Sequence, residues 1–210
     1  MRQRSNIFQN IDWITFSIFL GLLLIGWLNI YAAVYNEEHK SLFDLSQNYG
    51  KQMIWIITSL VLALIILITD AKFFSTFSYI IYGIILLSLI AVVLVGKEIA
   101  GSRSWFEVGN FSLQPSEFAK FAAALALAKY LSNIDLSINR LATKLVSAAI
   151  ILTPALLILV QPDTGSAMVF SSLLLVLYRE GLSGKLLLIG VGLAMLFVLD
   201  LVIDKFVLIG

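Results

Sequence analysis

The chain has 210 residues, 60% of them hydrophobic and 13% charged, with a mean hydropathy of +0.98. A soluble domain of this length could not cover so much apolar surface, and long unbroken Leu/Ile/Val/Ala/Phe runs replace the alternation of barrel strands, so the chain reads as an all-α polytopic membrane protein. A formal net charge of +1 gives no electrostatic footprint for nucleic acid, while the absence of Cys and the single His39 exclude disulfides, thiolate metal sites and histidine clusters.

Seven spans are predicted in one transmembrane domain, at about 11–34, 52–69, 73–95, 115–131, 145–160, 162–178 and 186–202. The first is too long for a signal-peptide core and no A-x-A site follows it, so it reads as a retained span. A polar loop at 35–51 carries Glu37, Glu38, His39, Lys40 and Asp44, and a tight link at 70–72 joins the second and third spans. The stretch 96–114 is predicted to be a long loop, with turns at Gly101 and Gly109. Lysines and arginines of short loops set orientation. With the N-terminus in the cytoplasm, Arg2, Arg4, Lys72, Arg140, Lys144, Arg179 and Lys185 lie inside, and Lys40, Lys51, Lys97, Arg103 and Lys205 outside.

Two stretches concentrate the ionisable groups. Residues 101–120 read GSRSWFEVGNFSLQPSEFAK, and residues 161–167 read QPDTGSA. In both, Gln-Pro precedes an acid and then an apolar run, with Pro predicted in the first helical turn, where its missing N–H costs nothing. Glu117 and Asp163 then sit near the outer surface, and Lys120 follows Glu117 by three residues on one helical face. Each acid has two readings: a helix-dipole partner worth about 0.3–1 kcal/mol, or part of a polar cavity opening outward. Charge at membrane depth is costly, so Lys120 needs an ion pair, a snorkelling path or a function. Arg103 and Trp105 read either as interfacial anchors or as substrate contacts, and Lys129 as a solvated anchor near the inner end of its helix.

GSRSWFEVGNFSLQPSEFAK, QPDTGSA and the order of the spans around them resemble the SEDS family (shape, elongation, division and sporulation), most closely its RodA branch. LVLYREGLSGK adds to the resemblance, which covers essentially the whole chain. The resemblance implies a ten-helix fold of which these are the first seven helices, the C-terminal remainder being absent from the chain. It implies peptidoglycan glycosyltransferase activity on lipid II, a class B penicillin-binding protein as partner, and other membrane proteins of the elongation complex. It implies a bacterial cytoplasmic (inner) membrane location. It places Glu117, Lys120 and Asp163 in the functional cavity, with Gln114, Ser116, Gln161, Arg103 and Trp105 as further substrate contacts. The catalytic Asp it implies belongs to an outer loop after the seventh helix, beyond Gly210, so no residue here takes that role and the fragment alone is expected to be inactive.

Two positions depart from the family pattern: the usual Arg position is Ser104, with Arg103 one place earlier, and a base often found two residues before Gln-Pro is Ser112. Polymerisation needs a base at the attacking hydroxyl and stabilisation of the leaving pyrophosphate. Lys120 and Arg103 could offset pyrophosphate charge. Glu117 and Asp163 could position Lys120 or a divalent cation, Mg²⁺ or Mn²⁺. A septal FtsW-type polymerase, a lipid II flippase and a non-enzymatic scaffold are the competing readings. A flippase needs access from both leaflets, whereas these ionisable groups gather at one end.

Overall fold

The computed structural model describes residues 12–34, 47–99, 101–108, 111–133 and 138–207. The expectations for Arg2, Arg4, Glu37, Glu38, His39, Lys40, Asp44 and Gly109 lie outside these residues. The chain divides into two compact units, Met1–Asp70 and Ala71–Gly210.

The first unit holds α1 (Trp13–Val34) and α2 (Asn48–Ile68). Both are apolar all round and expose Ile, Leu and Val side chains along their length, the surface that suits lipid. An aromatic group near the N-terminal end of α2 joins them. The Trp27 indole N–H donates to the Tyr49 carbonyl at 2.9 Å, and Tyr31 stacks on Trp27 and meets the buried Tyr49 edge-on. Asp12 caps α1, its Oδ1 accepting from the amides of Ile14 and Thr15 and its Oδ2 from the Thr15 hydroxyl.

The second unit is a helical bundle carrying a small sheet at one end. Its elements are α3 (Ala71–Val95), β1 (Lys97–Ile99), β2 (Ser102–Val108), β3 (Phe111–Leu113), α4 (Pro115–Leu131), α5 (Leu141–Leu159), α6 (Thr164–Val169), α7 (Leu173–Arg179) and α8 (Gly184–Val207). A 3₁₀ turn, Phe170–Ser172, separates α6 from α7. Among the described residues four helices, α1, α2, α3 and α5, are long and apolar enough to cross a membrane on their own. The 17 residues of α4 reach roughly 25 Å, a short crossing.

Lipid is as apolar as leucine, so helices associate through close packing and hydrogen bonds rather than by leaving water. That logic explains α4, whose buried face is Ala119, Ala122, Ala123 and Ala126, small enough to let α3 and α5 approach. Leu89, Leu127, Ile151, Ile158 and Phe170 fill the core around it. Pro154 lies inside α5 and has no N–H for the Ile150 carbonyl four residues earlier. The Tyr82 hydroxyl of α3 donates to that carbonyl at 3.0 Å, which meets the need from a neighbouring helix.

The structure departs from the sequence expectation in four places. Residues 96–114 are not a plain loop: β1, β2 and β3 form an antiparallel three-stranded sheet. Gly101 turns the β1–β2 hairpin at φ 82°, where a side chain would be strained. The sixth span starts at Thr164, leaving Pro162 outside the helix at φ 31° and Asp163 as its N-cap. The helix starts where the Asp163 carboxylate can meet the Ser166 amide, so a side chain sets the boundary rather than the proline. α5 begins at Leu141 and α2 at Asn48, each earlier than its apolar run, because the helix itself satisfies backbone groups through the interface; Lys144 therefore lies in the first turn of α5. Lys129 is not a solvated anchor: it is half-buried and its Nζ donates to Ser75 Oγ at 3.1 Å.

Candidate functional site

The two motif stretches meet at the sheet-bearing end of the second unit. Pro115 opens α4, which puts Gln114 just outside the helix and Ser116 and Glu117 in its first turn. Asp163 stands at the mouth of α6. Gln114 Nε2 donates to Asp163 Oδ2 at 2.8 Å and Ser116 Oγ donates to the same oxygen at 3.3 Å. Asp163 Oδ1 accepts from the Ser166 amide at 3.1 Å. Both carboxylate oxygens are thus engaged, and the aspartate is fixed from α4 and α6 at once.

Lys120 follows Ser116 by four residues, so the two share a face of α4. Its Nζ lies 2.7 Å from Glu117 Oε1, with the Lys120 side chain 27% exposed and that of Glu117 57% exposed. The lysine is the more sheltered partner and the glutamate the more exposed one. An exposed pair of this kind contributes little to stability, about 0–1 kcal/mol. Glu117 can therefore leave Lys120 at small cost when another anion arrives.

Gln161 is placed differently from an expected substrate contact. It is 1% exposed, and its Nε2 donates to the Leu89 carbonyl of α3 at 3.1 Å, while its Oε1 has no hydrogen-bond partner among the described residues. It holds the α5–α6 connection to α3. The Gln161 carbonyl accepts from Ser102 Oγ at 2.6 Å, and Ser102 Oγ lies 2.9 Å from Ser104 Oγ. Ser102 has one hydroxyl proton and gives it to Gln161, so Ser104 is the donor within the serine pair.

The register explains how Ser104 comes to point inward. Lys97 pairs with Trp105 and Glu98 with Arg103, leaving Ser104 as the extra residue of a β-bulge. Ser104 is buried and Arg103 beside it is exposed, with no ion pair among the described residues. Trp105 is half-buried. The structure thus brings Gln114, Ser116, Glu117, Lys120, Gln161 and Asp163 to one end of the bundle, and records no bond from Arg103 or Trp105 to the Asp163 cluster. Sequence reasoning missed Ser102 and Ser104; their alternation about an exposed Arg was the available signal.

A family model for FtsW/RodA/SpoVE, described as cell cycle protein, matches residues 12–208. The chain belongs to the FtsW/RodA/SpoVE family. The peptidoglycan glycosyltransferase RodA of Treponema pallidum (strain Nichols) is 36% identical over 171 residues, covering 80% of this chain and 38% of that protein. The crystal structure of the Thermus thermophilus rod shape determining protein RodA superposes with a TM-score of 0.77 at 28% identity, covering 90% of this chain and 60% of that one. A chain in a structure entitled as a peptidoglycan synthase complex coordinating polymerization and crosslinking matches with a TM-score of 0.73 at 29% identity, over 93% of this chain and 54% of that one. The chain thus spans less than half the length of the curated relative. As an FtsW/RodA/SpoVE member of RodA-like fold, it is a multi-pass membrane protein whose two motif stretches converge on Asp163.

Proposed function

We propose that this chain supplies part of the substrate site of a peptidoglycan glycosyltransferase that polymerises lipid II during cell elongation. The observation that carries the reading is the convergence of Gln114 and Ser116 on the Asp163 carboxylate, beside the Glu117–Lys120 pair. The names of the relatives support the reaction class.

In that reaction a sugar C4 hydroxyl attacks the anomeric carbon of a second sugar, and the bond from that carbon to the lipid pyrophosphate breaks. The pyrophosphate leaves with added negative charge and needs a cation fixed in advance. Lys120 is that cation in our reading, sheltered and close to the positive N-terminal end of α4. Glu117 holds it until the substrate anion takes its place. Asp163 fixes Gln114 and Ser116 beside that cation through Oδ2, and its Oδ1 keeps one acceptor position for a sugar hydroxyl. Among the described residues no group of three or more His, Cys, Asp or Glu side chains gathers. A Mg²⁺ or Mn²⁺ ion in our proposal would therefore arrive with the pyrophosphate and use one or two carboxylates, a pattern common for Mg²⁺.

We place the site at the outer face of the bacterial cytoplasmic membrane, with the N-terminus in the cytoplasm. The opposite end of the second unit carries Lys72, Lys129, Arg140, Lys144, Arg179 and Lys185, and basic ends face the cytoplasm. A class B penicillin-binding protein is the proposed partner, supported by the peptidoglycan synthase complex among the similar structures.

Lys120→Ala in the intact protein tests the reading. Glycan chains formed from lipid II, separated on a gel, are expected to vanish while the yield of folded protein is unchanged. Chains made at the wild-type rate would remove Lys120 from the mechanism.

A further inference from the structure

A cavity of about 410 Å³ lies in the second unit between α5, the α6–α7 segment and α8. Small residues create it: Ala148 and Ala155 on α5, Ala167 on α6, and Gly190 and Ala194 on α8. A Cβ at Gly190 would stand 2.7 Å from Leu174 Cδ1, so a side chain there would push that leucine aside. Ser171 supplies a hydroxyl to the wall, but its Oγ is already spent on the Met168 carbonyl at 2.7 Å. Only the acceptor lone pairs of that hydroxyl remain, in a wall that is otherwise apolar. Leu152, Met168 and Leu193 line the cavity and are exposed, so it opens sideways into the region a bilayer would fill.

Its upper end adjoins the polar cluster. Ala167 belongs to the wall, and its amide donates to the Asp163 carbonyl at 3.2 Å, one helical turn away. Leu159, also in the wall, precedes Gln161 by two residues. The fixed carboxylate thus caps α6, and the apolar void begins one turn further along that helix. A site polar at the membrane surface and apolar below it has the pattern of a single-headed amphiphile.

The geometry points to this cavity as the seat of the polyprenyl tail of the lipid-linked substrate whose head lies at Asp163. The inference rests on the lipid II reading. A tail leaving bilayer for protein gains little from apolarity, since both surroundings are alike. The cavity fixes position instead: it holds the pyrophosphate near α4 and α6 and limits the head group's drift.

The test uses the intact protein in lipid nanodiscs and two photoreactive probes: lipid II with a diazirine in its tail, and phosphatidylglycerol with the same group in an acyl chain. The lipid II probe is expected to label Leu152, Leu174 or Leu193, with unlabelled lipid II competing and phosphatidylglycerol not. Ala148→Phe and Ala194→Phe each place a ring in the cavity, and either is expected to lower that labelling about tenfold, equivalent to about 1.4 kcal/mol of tail binding. The melting midpoint identifies the variant that stays folded. Label confined to other helices, as when another segment of the intact protein fills the cavity, overturns the inference. Unchanged labelling in the folded variants overturns it too, as does equal labelling by phosphatidylglycerol. A glycan gel on the same samples separates the two claims. Chains formed without label at the cavity defeat the tail seat alone, and label without chains defeats the polymerase reading while the tail seat stands.

Discussion

Asp163 uses its two oxygens for different purposes. Oδ1 caps α6 through Ser166, and Oδ2 ties α6 to Gln114 and Ser116. The capping and site readings of this acid are thus compatible. Replacing it by Ala removes the cap, a loss of about 0.5–2 kcal/mol, and frees two donors besides. Asn keeps an acceptor for Ser166, and the Gln114 amide can rotate to meet it, so only the charge is lost. Asp163→Ala is therefore expected to lower the thermal midpoint of the intact protein in detergent. Asp163→Asn should hold the midpoint near wild type yet depress glycan synthesis, read on the same preparation. The pairing of Lys120 with Glu117 was legible from three-residue spacing on one helix. The partners of Asp163 were not, because 49 and 47 residues separate it from Gln114 and Ser116 and no periodic pattern spans such a gap.

The helices themselves were legible because apolar runs of membrane length have few other outcomes. Their ends were less so, since caps and interfacial turns use residues that hydropathy does not mark. Asp12 shows this at α1. The Thr15 hydroxyl first, then the Thr15 and Ile14 amides, hold its carboxyl below the ordinary range, against a smaller opposing effect of desolvation. A depressed folded value means the cap is intact above the ordinary carboxylate pKa and is lost as pH falls through the lower one. Reduced protection of the Ile14 and Thr15 amides, taken relative to their intrinsic exchange rate at each pH, is expected only below about pH 4, with constant protection between pH 5 and 8. The sheet escaped the sequence reading because the bulge at Ser104 interrupts the two-residue alternation that identifies a strand. Helix α5 gives the sharpest test at this scale. Tyr82→Phe leaves the Ile150 carbonyl without its donor and is expected to cost about 1–3 kcal/mol. Pro154→Ala returns the missing N–H, so in that background Tyr82→Phe should cost much less. A double-mutant cycle on thermal midpoints measures the difference, and equal costs in both backgrounds would refute the pairing.

At the scale of the second unit, charge is mixed at one end and largely basic at the other. Glu98, Glu107, Glu117 and Asp163 share the sheet-bearing end with Lys97, Arg103 and Lys120, while the basic residues of the opposite end are accompanied by one acid, Glu180, among the described side chains. Reporter fusions after residue 117 should accordingly report the periplasm and fusions after residue 140 the cytoplasm; the reverse result would invert the proposed site. That asymmetry could be read in the sequence as a list of loops. The convergence of two distant motifs, with a void beneath them, could not, because it depends on alanines that look like ordinary helix formers until their neighbours are known. The serine pair of β2 carries a last implication. Ser102 grips the Gln161 carbonyl at 2.6 Å, and Gln161 stands two residues from Asp163. A pull on β2 from outside must drag the α5–α6 corner along or snap that grip, so the sheet works as a handle whose far end is the carboxylate.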